Sequence, residues 1–207
     1  MLYGKRAANE EPTMPTLLSD AIRRPEAWSV QGLTKATPSM EMAYIKFEGG
    51  PAVVQLVGKS SLGDVITPWA PNVYRGDGSE SRVTMTANIP ERVREDIEAL
   101  EELIRDKLHE HVRNIDARWH SSSKPSEKHS SSVRLKISIS GPKACPTFNS
   151  DGEPVPMPSE WTGLAVIPIV QIKGAYVQKG MAGLVMEVVS LMVGDRKRHD
   201  MVDMTFI

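Results

Sequence analysis

Hydrophobic and polar residues alternate most strictly between Val133 and Ile139. Apolar side chains occupy every second position of this segment, and Arg134, Lys136 and Ser138 occupy the positions between them. In an extended chain, successive side chains point to opposite sides, so this spacing predicts a β-strand with one buried face and one polar face.

Two longer apolar runs, Leu164 to Ile172 and Leu184 to Val193, predict a pair of strands near the end of the chain. We expect the link from Lys173 to Gly180 to form the tip of a β-hairpin between them, with Tyr176 near that tip. An Asp-Gly turn at Asp151-Gly152 precedes the pair.

Shorter β-rich runs occur earlier in the chain. Tyr44 to Phe47 and Val53 to Val57 read as two strands joined in a hairpin through Gly49-Gly50-Pro51. Arg82 to Thr86 alternates and predicts a further strand.

A spacing of three and four residues between apolar side chains predicts one long amphipathic helix from Asn88 to Trp119. Asn88 and Glu91 have the form of a capping box, with Pro90 in the first turn. Acidic residues are concentrated at the start of the segment and basic residues at its end, which suits the helix dipole. The apolar stripe consists of Val93, Ile97, Leu100, Ile104, Leu108, Val112 and Ile115.

These elements predict a mainly β fold with one long helix, an OB-type barrel of five to six strands with extensions. A β-sandwich with an added helix is the alternative. We expect three parts, which are a largely irregular N-terminal arm over residues 1–40, a barrel over residues 41–194 and a C-terminal tail over residues 195–207. The arm would hold one short helix around Leu17 to Ile22, and the barrel would hold the helical insertion 88–119 and a flexible serine-rich loop at 121–132.

Composition limits the classes of protein that the chain can represent. Its 207 residues carry 25 basic and 26 acidic side chains, a formal net charge of -1, and 40% of them are hydrophobic. A surface for nucleic acid would therefore have to come from segregation of charge. The chain has one cysteine and no apolar run long enough for a membrane span, and its first six residues lack the hydrophobic segment expected of a signal peptide. We expect a soluble, intracellular protein without a membrane partner, in the host cytoplasm or nucleus if it is viral.

Sequence signatures of catalysis are not found, since the chain has no glycine-rich phosphate loop, no Gly-x-Ser-x-Gly elbow and no Cys-x-x-Cys pair. His109 and His111 lie two positions apart on the predicted helix, so their side chains point about 200° apart and cannot share a metal. Cys145 has no base near it in the sequence and reads as a half-buried thiol, while Asp151-Gly152 lacks the spacing of a calcium loop. We therefore expect no enzyme activity, catalytic residue, metal or cofactor.

Single-stranded nucleic acid is held by cations that pair with phosphates and by aromatic rings that stack on bases. Lysines are often ordinary surface residues and strand aromatics often fill cores, so it is the grouping of the two kinds of residue that favours a binding site. Trp69, Tyr74 and Arg75 add a second group in a proline-rich loop. The candidate nucleic-acid-binding residues are Tyr44, Lys46, Arg134, Lys136, Lys143, Phe148, Trp161, Lys173, Tyr176 and Lys179.

Three segments, Pro146 to Pro154, Val166 to Tyr176 and Lys179 to Leu191, resemble the OB-fold single-stranded-DNA-binding proteins of phages and large DNA viruses. In that family a Phe/Asp-Gly turn precedes a barrel strand, and a lysine-glycine turn precedes the closing strand. The resemblance covers about a quarter of the chain. It implies non-catalytic coating of single strands in replication or recombination, often by a dimer.

The leading hypothesis is therefore sequence-independent binding of single-stranded DNA in replication, recombination or repair. The predicted partners are single-stranded DNA, further copies of the chain in a homo-oligomer, and replication proteins that contact the C-terminal tail. Two alternatives remain, which are a viral structural or assembly protein built on a β-sandwich and a hydrolase or transferase with a site built from scattered residues.

Overall fold

The structure is a computed structural model that describes residues 15–71, 81–112, 114–126 and 130–196. Strands are the most frequent regular structure in this part of the chain, and five of them have eight or more residues. The strands are β1 Thr16–Leu17, β2 Trp28–Val30, β3 Thr34–Thr37, β4 Met40–Phe47, β5 Gly50–Pro51, β6 Val53–Gln55, β7 Ile66–Thr67, β8 Arg82–Ile89, β9 Ser123–Lys124, β10 Ser131–Ser138, β11 Thr147–Phe148, β12 Leu164–Gln178 and β13 Met181–Arg196. The helices are α1 Leu18–Ala21, α2 Glu91–Leu108 and α3 Ile115–Arg118, and Pro25–Ala27 and Lys59–Ser61 form 3₁₀ turns.

Five of the strands close into a ring. Strand β12 pairs with β7, β7 with β8, β8 with β10, β10 with β13, and β13 pairs with β12 again. Four of these pairings are antiparallel, and the pairing of β10 with β13 is parallel. The predicted fold class, mainly β with one long helix on an OB-type barrel, is confirmed. The ring differs from the alternative of a sandwich, in which two separate sheets face each other.

Strands β8 and β10 show why the alternating segments fold as they do. Val133, Leu135 and Ile137 of β10 are buried, while Arg134 and Lys136 between them are exposed. The apolar positions of β8 are buried in the same alternating way. Each strand therefore contributes one face to the core, as the spacing predicts.

The hairpin of β12 and β13 is longer than the apolar runs predict. The segment that we expected to link the strands is itself extended as far as Gln178, and the turn consists of Lys179 and Gly180, with Gly180 at φ 73°. Residues 174–178 extend because β4 pairs with them on one side while β13 pairs with them on the other. A second partner strand satisfies backbone groups that a loop would leave to water.

The early hairpin also differs from its prediction. Strand β4 pairs with the short β5, whereas β6, the predicted partner of β4, pairs instead with β1 and β12. Val54 on β6 is fully buried, so joining the barrel gives this strand a place in the core.

Residues 16–37, within the segment expected to be largely irregular, contain three short strands and α1. Helix α1 confirms the short helix predicted near Leu17 to Ile22, and residues 1–14 of the predicted arm lie outside the described residues.

Helix α2 buries the predicted apolar stripe from Val93 to Leu108, but both of its ends differ from prediction. Asn88 belongs to β8 and Pro90 is the residue before the first turn, so the predicted capping box is wrong. The helix ends at Leu108, and Asn114, at φ 54°, separates it from α3. This break lets the chain reach β13, where Trp119 forms a bridge with Ala182.

Part of the serine-rich segment 121–132, which we expected to be a loop, is regular structure. Strand β9 lies within it and pairs with the start of β10. The Ser122 backbone N–H also donates a hydrogen bond of 2.7 Å to the Glu101 carboxylate on α2. These contacts anchor the start of the segment, and its residues 127–129 lie outside the described part of the chain.

Candidate nucleic-acid interface

The polar side of β10 faces away from the core and meets the polar sides of its neighbours. Lys136 lies directly between Thr84 on β8 and Glu187 on β13, and its Nζ donates a hydrogen bond of 2.7 Å to the Thr84 hydroxyl. Arg134, two residues earlier on β10, shares this side of the sheet. The two cations predicted on one face are therefore exposed side by side.

Glu187 gathers two more cations at the same place. Its Oε2 lies 3.0 Å from the Arg82 guanidinium on β8 and 3.7 Å from the Lys173 Nζ on β12. Lys173 sits at an irregularity in the pairing of β12 with β13, between Ile172 and Gly174. The extra residue leaves both Lys173 and Gly174 on the outer side, because a bulge interrupts the alternation of a strand.

Two tyrosines continue this outer side across β12 and β4. Gly174 is paired with both Val185 on β13 and Tyr44 on β4, and paired residues share a face of the sheet. Val185 lies two positions from Glu187, so Tyr44 faces the same side as the cations. Its ring is 46% exposed. A side chain at position 174 would meet the backbone carbonyl of Ala43, so glycine allows β4 and β12 to approach here.

Tyr176 lies on the same side, one diagonal position from Tyr44. It is paired with Gly183 and with Met42, and its ring lies across Gly183, where an added Cβ would come within 3.1 Å of the ring. The ring is half-buried, and burial is the main reason that the pKa of Tyr176 is raised, with the charge of Glu101 adding to it. At neutral pH the side chain is therefore an uncharged phenol.

We call this surface the basic face. It extends about 13 Å along β13 from Gly183 to Glu187, at about 3.3 Å per residue. The side chains that define it are Tyr44, Lys46, Arg82, Arg134, Lys136, Lys173, Tyr176 and Glu187.

Three further lysines of the predicted site differ in their position relative to the basic face. Lys46 is exposed two positions after Tyr44 on β4, and Lys179 is exposed at the turn between β12 and β13. Lys143 is exposed in the turn that follows β10, at the end of that strand where Ser138 is paired with Arg82. The structure thus brings Lys46 onto the basic face and leaves Lys143 and Lys179 at its two ends.

The other two candidate aromatics do not lie on the basic face. Trp161 is only 5% exposed and belongs to the core, where its carbonyl accepts a hydrogen bond from the Thr67 hydroxyl. Burial of Trp161 corrects the expectation that it stacks on a base, because neither side of its ring is open to a ligand. Phe148 is half-buried on the short strand β11, where it is paired with Met192 of β13.

Arg82 and Glu187 are the residues of the basic face that the sequence reasoning did not single out. The sequence pattern could have indicated Arg82, since it occupies one of the polar positions of the alternating segment Arg82 to Thr86. Glu187 carries no such signal, because it is one acid within a long apolar run.

Cys145 and the turn around Asp151-Gly152 have structural roles. Cys145 is buried, and burial raises the pKa of its thiol to about 12. Asn149, Asp151 and Glu153 form a tight turn in which the Asn149 side-chain oxygen accepts the backbone N–H groups of Asp151 and Glu153. Tyr74 and Arg75 lie outside the described residues, whereas Trp69 is described and is 55% exposed.

Within residues 15–71, 81–112, 114–126 and 130–196, no three His, Cys, Asp or Glu side chains are grouped as a metal site would require. None of the helices in these ranges is long and apolar enough to cross a membrane.

Similarity to known proteins is found among solved structures. No protein-family model matches the chain, and no curated protein matches it either. Among solved structures, the chain is similar to the crystal structure of gp2.5, a single-stranded DNA binding protein encoded by bacteriophage T7, with a TM-score of 0.48 and 14% sequence identity. The likeness covers 69% of this chain and 94% of that chain. A similarity at this level of identity concerns the course of the backbone and not the side chains that bind a ligand.

Proposed function

We propose that the protein binds single-stranded DNA on the basic face, with little preference for sequence and without catalysis. The observation that carries this proposal is the meeting of cations from β8, β10 and β12 with two tyrosines on one side of the sheet. Cations of this kind pair with backbone phosphates, and aromatic rings stack on bases of any identity.

The position of the basic face on the barrel supports the same function. In chain order the five strands of the ring are β7, β8, β10, β12 and β13. OB folds bind oligonucleotides on the face of their second and third strands and at the loop between the fourth and fifth. Here these places hold Arg82 on β8, Arg134 and Lys136 on β10, and Lys179 at the turn after β12.

Segregation of charge also favours a polyanionic ligand. The whole chain has a formal net charge of -1, yet the side chains that define the basic face include five cations and one carboxylate. Association with a single strand would release condensed counterions from that strand, so affinity should fall steeply as salt is added.

Binding without catalysis agrees with the chemistry of the one cysteine. A thiol with its pKa raised to about 12 is protonated at neutral pH, and the nucleophile in thiol chemistry is the thiolate.

The proposal also includes a cellular role and further partners of the protein. Coating of single strands would serve replication, recombination or repair. A homo-oligomer and the docking of replication proteins on the tail at residues 195–207 belong to the same proposal, and residues 197–207 of that tail lie outside the described part of the chain.

The test is a titration of fluorescently labelled oligo-dT with the protein, followed by fluorescence anisotropy at two salt concentrations. A labelled strand is the better reporter because Trp28 and Trp161 are buried. We expect binding at low salt that weakens steeply at higher salt, with single strands preferred over duplex.

The absence of binding at low salt would contradict the proposal. If the protein does not bind and light scattering shows that it forms large assemblies, the alternative function of a structural or assembly protein is favoured.

A further inference from the structure

Glu187 occupies the centre of the cations on the basic face. Its side chain is 19% exposed, and a single carboxylate oxygen faces both Arg82 and Lys173. Lys136 is its directly paired neighbour on β10. Two cations on one oxyanion, with a third on the paired strand, form an arrangement that suits a backbone phosphate.

We propose that the Glu187 carboxylate occupies, in the unbound protein, the position that a DNA phosphate takes when a strand binds. Arg82 and Lys173 then pair with the phosphate in place of Glu187. This inference rests on the proposed function. It adds Arg82 as a phosphate-binding residue, and it makes Glu187 a positioning residue that also limits affinity.

Exchange of one anion for another is feasible because these ion pairs are only partly buried. Arg82 and Lys173 keep 49% and 38% of their side chains exposed, and ion pairs with that much contact with water contribute little to stability. A phosphate can therefore replace the carboxylate with a small loss of protein contacts.

The carboxylate also opposes binding directly. Once a strand lies on the basic face, Glu187 remains within a few ångströms of its phosphates, and like charges at about 4 Å in water repel by an amount close to 1 kcal/mol, or a factor of about five in affinity. Removing the charge while keeping the shape of the side chain should therefore tighten binding.

The experiment compares Glu187→Gln with Glu102→Gln, using anisotropy of labelled oligo-dT. Both substitutions change the net charge by the same amount, but Glu102 is exposed on α2 and not on the basic face. We expect Glu187→Gln to bind about three- to fivefold more tightly than the wild type at low salt, with a difference that shrinks as salt is added. Glu102→Gln should bind like the wild type.

A conservative variant separates charge from shape. Glu187→Asp keeps the negative charge on a shorter side chain, so it should bind more weakly than Glu187→Gln. Thermal unfolding of each variant by circular dichroism shows whether the fold is retained.

Equal affinities of Glu187→Gln and Glu102→Gln, or weaker binding by Glu187→Gln, would overturn the role of Glu187 while leaving the proposed function in place. Failure of the wild type itself to bind oligo-dT at low salt would overturn both.

Discussion

Helix α2 and the basic face both carry many charges, but they arrange them in different ways. On α2, Arg94 is paired with both Glu91 and Glu98, and Arg105 with Asp116 at 3.0 Å. The basic face has five cations and one carboxylate, that of Glu187, which contacts Arg82 and Lys173. Helix α2 thus pairs arginines with carboxylates and carries more acidic than basic side chains, whereas the basic face keeps an excess of positive charge on its surface.

This contrast explains how a protein with a net charge of -1 can offer a surface for a polyanion. Net charge sums the two regions and hides the difference between them. We expect changes on α2 to alter the stability of the protein and changes on the basic face to alter its binding of DNA. Each prediction below tests one side of that contrast.

The largest expected effect lies on the buried side of α2. Ile97 is fully buried in the core, so Ile97→Ala should lower the free energy of unfolding by about 2–5 kcal/mol. Urea unfolding at neutral pH measures this loss. The protein that remains folded should bind oligo-dT with wild-type affinity. A lowered affinity of the folded fraction would contradict the expectation that α2 affects stability alone.

The next effect concerns the exposed aromatic ring of the basic face. Tyr44→Ala should weaken binding of oligo-dT by about 1–3 kcal/mol, because a stacking partner for a base is lost. The free energy of unfolding should barely change, since the ring is 46% exposed. Tyr44→Phe is the matched control and should bind nearly as well as the wild type, because it keeps the ring.

Tyr176 sharpens this test because it is half-buried across Gly183. Tyr176→Ala should weaken both binding and stability, whereas Tyr176→Phe should preserve stacking. If Tyr176→Ala melts early and its folded fraction binds normally, Tyr176 serves the packing of the sheet alone.

A third prediction concerns the two cations of β10. Arg134→Ala combined with Lys136→Ala should weaken binding at low salt by about tenfold and lower the salt slope by about one to two units, since two phosphate contacts are lost. The melting temperature should change little, because both side chains are exposed.

Arg92→Ala combined with Lys107→Ala is the matched control on α2, with the same change in net charge. An equal loss of affinity in both double variants would mean that net charge, and not the basic face, governs binding.

The smallest expected effect is a pH dependence on the helix side. Hydrogen bonds from Arg94, and after that from Ser131, hold the pKa of Glu91 below its ordinary value of 4.5. A lowered pKa stabilises the folded state above pH 4.5, and this contribution is lost as the pH falls through the lowered value.

Glu91→Gln should therefore be slightly less stable than the wild type at neutral pH, and the difference should shrink in acid. Urea unfolding across that range measures it, and the affinity for oligo-dT should stay at the wild-type value. A difference in stability that persists unchanged in strong acid would contradict this role.

The periodic elements could be predicted well from the sequence. The alternation around Arg134 and Lys136 correctly placed both cations on the exposed side of a strand, and the apolar stripe of α2 predicted its buried side. Such patterns are readable because the direction of a side chain along one strand or helix depends on local geometry alone.

Predictions about the ends of the helix and about the pairing of the strands were less accurate. The helix ends at Leu108, and the chain then passes through Asn114, which is in a left-handed conformation, and turns toward β13. The segment after Lys173 is extended because β4 lies beside it. Both outcomes depend on strands distant in the sequence, which no local pattern describes.

The sequence by itself determined that the chain forms a mainly β fold with one amphipathic helix, and that Arg134 and Lys136 share an exposed side. Only the tertiary structure decided that Arg82, Lys173 and Glu187 meet beside Lys136, and that Trp161 is buried while Tyr44 is exposed. The physical reason is that strand register is a non-local property. The parallel pairing of β10 with β13 and the bulge at Lys173 fix which side chains become neighbours, and these features form only when the barrel closes.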